Sequence, residues 1–142
     1  MKTDEVLNLD YRKQENRIKI QRVLSKLKPL AKYADELDFE GNELIPLEAI
    51  ERTICGIARK YDIRPQFIST SFVEAKGTIY GCGVMRDSKS EWLGTVYGMC
   101  IYELLAKLAI KMASEVKSGK IARRTASANE TERRKRLEAS NA

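Results

Sequence analysis

The sequence predicts a small α+β domain of α-β-β-β-α order, preceded by a basic helix and followed by a disordered basic tail. Three observations predict it. Apolar residues Ile50, Ile54, Ile57 and Tyr61 recur at i, i+4, i+7 and i+11, one face of a helix. Three runs rich in β-formers then follow, separated by two short turns of Ala75-Lys76-Gly77 and Asp87-Ser88-Lys89-Ser90. Last comes a long apolar stretch in which Glu103, Lys107, Lys111 and Glu115 recur every four positions, as on an amphipathic helix.

Taken in order, the first helix is expected from about Tyr11 to Leu27, with Ile20, Val23, Leu24 and Leu27 at helical spacing. Pro29 stops it, because the residue before a proline is driven out of the helical region. An acidic linker over 30–45 follows, with one helical turn around Leu30 to Leu37. Pro46 suits the first turn of the next helix, and Glu48 and Glu51 lie near its positive dipole end. Arg64-Pro65 ends that region. Strands are expected over 67–74, 78–85 and 92–97, then a helix over 99–117 that covers one sheet face and stops at Gly119. The organisation is therefore a basic helix (1–29), an acidic linker (30–45), the αβββα domain (46–119) and a flexible tail (120–142).

Charge is segregated into blocks. From Tyr11 to Lys28 there are seven cations (Arg12, Lys13, Arg17, Lys19, Arg22, Lys26, Lys28) against Glu15. From Ala34 to Glu51 there are seven anions (Asp35, Glu36, Asp38, Glu40, Glu43, Glu48, Glu51) and no cation. Beyond Val116 the sign reverses, with Lys117, Lys120, Arg123, Arg124, Arg133, Arg134, Lys135 and Arg136 against three glutamates. The net charge of +6 thus resides in the flanks, while the middle is mildly acidic. Such flanks point to a polyanion or an acidic protein surface.

Several function classes are disfavoured. There is no histidine, the commonest general base and metal ligand. The acidic run lacks the Asp-x-Asp-x-Asp-Gly spacing that closes on calcium, so no metal or cofactor is expected. It reads instead as a solvated linker or a phosphate mimic. Cys82, between Gly81 and Gly83, is the one nucleophile candidate, but it has no base beside it, and no enzyme is expected. In a strand Gly81 and Gly83 share one face, a flat patch that would admit a helix, while Tyr80, Cys82 and Val84 face the core. Cys55 and Cys100 read as core residues. Three cysteines without Cys-x-x-Cys spacing fit a reducing compartment, and Met1 to Glu5 lacks the apolar run of a secretory signal. A cytoplasmic location without membrane insertion is expected, since charges every four residues would be costly in lipid.

The run Tyr97-Gly98, then Glu103, then Lys107-Leu108, preceded by a strand and followed by Gly119, resembles the arm-type DNA-binding domain of tyrosine recombinases. The resemblance covers about 75–120 and implies a three-stranded sheet ending in a Tyr-Gly turn packed on one helix. The α-β-β-β-α order is also similar to that of double-stranded-RNA-binding domains. The chain departs from the recombinase pattern at Met99-Cys100, where a Lys-Thr pair is usual. It also lacks the lysine cluster through which the RNA-binding domains hold phosphate.

The expected function is that of a small nucleic-acid-binding accessory protein, for DNA or RNA, held by basic arms on a compact body. Arg12, Lys13, Arg17, Lys19, Arg22 and Lys26 form the first arm. Lys120, Arg123, Arg124, Arg133, Arg134 and Arg136 form the second. Arg86 and Lys89 would add phosphate contacts at the second turn, and Trp92 would either stack on a base or pack under the last helix. The second expectation is a phage or mobile-element protein that inhibits a host nucleic-acid-processing or defence protein, with the acidic block as contact. Apolar faces on both long helices leave room for a homodimer.

Overall fold

The structure, a computed structural model, describes residues 3–36, 44–73 and 77–125, together with 135 and 137. Its elements are α1 (Thr3–Leu7), α2 (Gln14–Ser25), a 3-10 helix (Lys28–Glu36), α3 (Leu47–Lys60), β1 (Arg64–Val73), β2 (Gly77–Arg86), β3 (Glu91–Gly98) and α4 (Ile101–Lys117). The strands form one antiparallel meander in the order β1-β2-β3. This is the α+β class expected from sequence.

Local chemistry explains the boundaries. Proline has no N–H to give, and the chain ahead of Pro29 tightens to i→i+3 bonds: Lys26 N donates to Val23 O and Leu27 N to Leu24 O. The expected single turn around Leu30 becomes a 3-10 helix whose Leu30 is only 1% exposed. Pro46 is the N-cap of α3, and its carbonyl accepts from Ala49 N and Ile50 N. Arg64-Pro65, expected to end the helical region, instead opens β1, because Pro65 pairs with Val84 at the sheet edge, where its missing N–H costs nothing.

α4 is the centre of the fold. It packs on β2 and β3 on one side and on α1, α2 and α3 on others. Accordingly eight of its residues are buried, among them Leu104, Ala106, Leu108, Ala109 and Met112. Cys82, Val84 and Val96 meet it from the sheet, and Ile20, Leu24, Ile50, Ile54 and Ile63 complete the same core. α1, which carries no strong helix signal, adds the fully buried Val6. The basic helix is therefore docked on the body rather than held apart from it. A closed ring of hydrogen bonds fixes it: Gln21 Nε2 donates to Tyr102 Oη (2.8 Å), Tyr102 Oη to Ile45 O (2.6 Å), and Ile45 N to Gln21 Oε1 (3.0 Å).

The start of the tail differs from expectation. Residues 120–125 run back along the body, with Ile121 buried, Asp62 N donating to Ala122 O and Arg124 N to Lys60 O. Gly119, at φ +81°, makes the reversal that a side chain would strain.

Candidate nucleic-acid interface

The α2 helix places its cations by simple periodicity. Ile20, Gln21 and Leu24 are buried, and Lys19, Arg22 and Lys26, at spacings of three and four, are exposed on the opposite side. Lys13, the N-cap residue, is exposed as well. Lys13, Lys19 and Lys26 pair with no carboxylate among the described residues.

Arg12 and Arg17 are differently placed. Arg12 lies in the loop before α2, where Nε and Nη2 grip the two oxygens of Asp10 at 3.0 and 2.9 Å. These bonds hold the Asp10 carboxyl down at about 2. Arg17 folds back: Nη1 donates to Tyr11 O and Arg12 O, both at 2.9 Å, and the guanidinium sits 5.8 Å from the Tyr11 ring centroid. It braces the loop instead of reaching outward.

The second cluster also divides. Lys120 and Arg123 are exposed, with Arg123 over the Tyr61 ring at 5.8 Å. Arg124 is a clamp. Its Nε donates to Ala58 O (2.8 Å), and Nη1 meets Asp87 Oδ2 at 2.9 Å, with the side chain 15% exposed. Asp87 is shared with Arg64 Nε at 3.0 Å, and Asp62 Oδ1 accepts from Ser88 N at 2.8 Å. The β2–β3 turn is thus tied to the end of α3 and to the segment after α4. Arg133, Arg134 and Arg136 lie outside the described residues, as do Asp38, Glu40 and Glu43 of the acidic run.

On that turn Lys89 is exposed, whereas Arg86 is half-buried beside Glu91 at 3.3 Å. Trp92 is 49% exposed and does not pack under α4. Pairing of Trp92 with Met85 puts it on the sheet face away from Cys82 and Val84, and its indole lies on Gly83. A Cβ on Gly83 would fall 2.2 Å from the ring. The flat glycine patch thus seats a tryptophan, not the helix expected there. Tyr97, opposite Gly81 on the same face, is 59% exposed.

Tyr97-Gly98, Glu103 and Lys107, the residues of the recombinase-like pattern, meet at the strand-helix junction. A Cβ on Gly98 would lie 2.5 Å from Leu104 N, so only glycine lets the chain turn so tightly onto α4. Glu103 Oε1 accepts from Met99 N at 2.6 Å and Oε2 from Lys107 Nζ at 2.6 Å, and Lys107 also donates to Leu9 O at 3.0 Å. Both side chains are about 95% buried. They join α1, β3 and α4 beneath a cleft of about 310 Å³, lined by Asp10, Tyr11, Arg12 and Tyr97 among others. Inside it, burial pushes the Tyr11 hydroxyl up to about 12.

The three cysteines sit in different surroundings. Cys82 is buried, and burial raises its thiol. Cys100 is the N-cap of α4, its Sγ accepting from Glu103 N at 3.5 Å. Cys55, expected in the core, is exposed. No group of three or more metal-ligating side chains occurs among the described residues, and no described helix is long and apolar enough to cross a membrane. No family model, curated protein or solved structure matches the chain.

Proposed function

We propose that this chain is a small nucleic-acid-binding accessory protein that captures the phosphate backbone through α2. One observation carries the reading: Lys19, Arg22 and Lys26 face outward from a helix whose other side belongs to the core. At 1.5 Å rise per residue, Lys19 and Lys26 stand about 10 Å apart along the axis. A docked helix presents them as a fixed array, so less side-chain and backbone entropy is lost on binding than by a loose arm. Lys13, Lys120, Arg123 and the arginines at 133, 134 and 136 add to the same electrostatic attraction. Arg17 and Arg124 are excluded, because each is committed to backbone carbonyls.

The test is a titration of duplex DNA, single strands and RNA across a salt series, with absence of binding meaning absence for all of them. Each neutralised phosphate contributes about 0.9 to the log–log slope on duplex DNA. Replacing Lys19, Arg22 and Lys26 together with alanine lowers the slope by about 2 to 3. Absence of binding at low salt overturns the reading, and an unchanged slope in the triple variant removes α2 from it.

A further inference from the structure

We infer that the sheet face opposite α4 is a stacking platform for unpaired bases, which makes single-stranded nucleic acid the ligand class of the proposed function. The inference rests on that function and deepens it.

The two faces of the sheet are built differently. Toward α4 stand Cys82, Val84 and Val96, each at most 2% exposed. On the other face β2 contributes Gly81 and Gly83, so its middle has no side chains. Each aromatic of β3 meets one of those glycines: Tyr97 pairs directly with Gly81, and Trp92 leans diagonally from its Met85 partner onto Gly83. Trp92 and Tyr97 accordingly remain 49% and 59% exposed, although large aromatics ordinarily bury most of their surface.

Thr95, paired with Gly83, separates the two rings. At roughly 3.3 Å per residue the two positions stand about 15 Å apart along β3, and the lean of the indole onto Gly83 brings the rings closer than their backbones. Charged groups stand at both ends of this track, Lys89 at one and the Arg12–Asp10 pair at the other. Lys89 is exposed in the turn before β3, and Arg12 lines the same cleft as Tyr97, with its side chain 55% exposed. Exposed aromatic rings with Lys89 at one end match a flexible polyanion with splayed bases. A duplex offers such rings no base face, since its bases are already stacked.

Trp92 is the only tryptophan in the chain, so indole emission reports this site alone. The full-length chain is titrated at low salt with a fluorescently labelled 12-nucleotide oligothymidine and with its blunt duplex. Label anisotropy measures binding and indole emission measures stacking. The expected result is quenching by the single strand, with affinity reduced about 5- to 150-fold by Trp92→Ala and by Tyr97→Ala. Tyr97→Ala leaves the Trp92–Gly83 packing in place and guards against a folding defect in the first variant. Single-strand binding with unchanged emission, or tighter binding of the duplex without quenching, overturns this inference and leaves the proposed function standing. Failure of both ligands to bind overturns the function itself.

Discussion

Arg124 Nη1 lies 2.9 Å from Asp87 Oδ2, a contact between the segment following α4 and the turn that leads to Trp92. The same guanidinium caps the carbonyls of Ala58 and Ile63, so one side chain closes the end of α3, the start of β1 and the β2–β3 turn. Arg124→Ala is expected to cost about 2–3 kcal/mol, since a charged hydrogen-bonding group that is mostly out of water is removed from several partners. Arg124→Lys recovers little, because an ammonium cannot span the planar fork. Urea denaturation measures both. Nucleic-acid affinity of the folded Arg124→Ala protein, measured at low temperature, stays within about twofold, whereas a phosphate-contacting arginine would lower the salt slope by about one.

Two glycines give opposite outcomes. Gly98→Ala drives a methyl to 2.5 Å from Leu104 N and 2.9 Å from Leu104 Cα, backbone atoms that cannot yield without shifting α4. A loss of about 3 kcal/mol is expected. Gly56 lies inside α3, where an added Cβ meets nothing within 4 Å. Gly56→Ala gains about 0.5–1 kcal/mol from helix propensity and reduced unfolded-state entropy. Chemical denaturation midpoints of the two variants move in opposite directions.

The sequence carried the secondary structure because periodicity is a local property. Ile50, Ile54 and Ile57 announce α3, and Ile20 and Leu24 announce the buried side of α2. What it concealed depends on register and on long-range contact. Gly83 reads as a gap in a strand, and only the pairing of β2 with β3 shows that Trp92 fills it. Arg124 sits in a polar run indistinguishable from a tail until Asp87 and Ala58 are brought beside it. Cys55 is a different kind of miss. Five residues beyond Ile50 it stands about 140° around the helix from the apolar stripe, so an apolar stretch of sequence around it does not bury it.

Thiol reactivity checks that placement. Cys55 is exposed, Cys100 is half-buried against Glu103 N, and Cys82 is fully buried with its thiol raised by desolvation. A disulfide reagent at neutral pH is expected to modify one thiol quickly in the native protein, and Cys55→Ser abolishes that phase. Cys82 reacts only on unfolding. A native protein with a rapid phase surviving in Cys55→Ser would contradict the buried assignment of Cys82 or the capping role of Cys100.

Alkaline pH acts on the α2 side of the fold through its tyrosines. Burial raises the Tyr11 hydroxyl from 10.0 to about 12, and Tyr102, which links Gln21 to Ile45, is raised for the same first reason. A phenol with a folded value above its unfolded value favours the native state fully below pH 10. That contribution is lost as pH rises from 10 through 12, because the unfolded chain sheds the proton first. Asp10 has the reverse sign: its depressed carboxyl contributes above 3.8 and is lost as pH falls through about 2. Thermal melts are therefore expected to be flat between pH 5 and 9 with respect to these groups and to fall on either side. Tyr11→Phe removes one ionisable phenol from the α1–α2 loop, so its alkaline decline is shallower than that of the parent. An alkaline limb with the same steepness in Tyr11→Phe would show that the loop is wet enough for Tyr11 to ionise in place, and the packing of that loop against β3 and α4 would have to be redrawn.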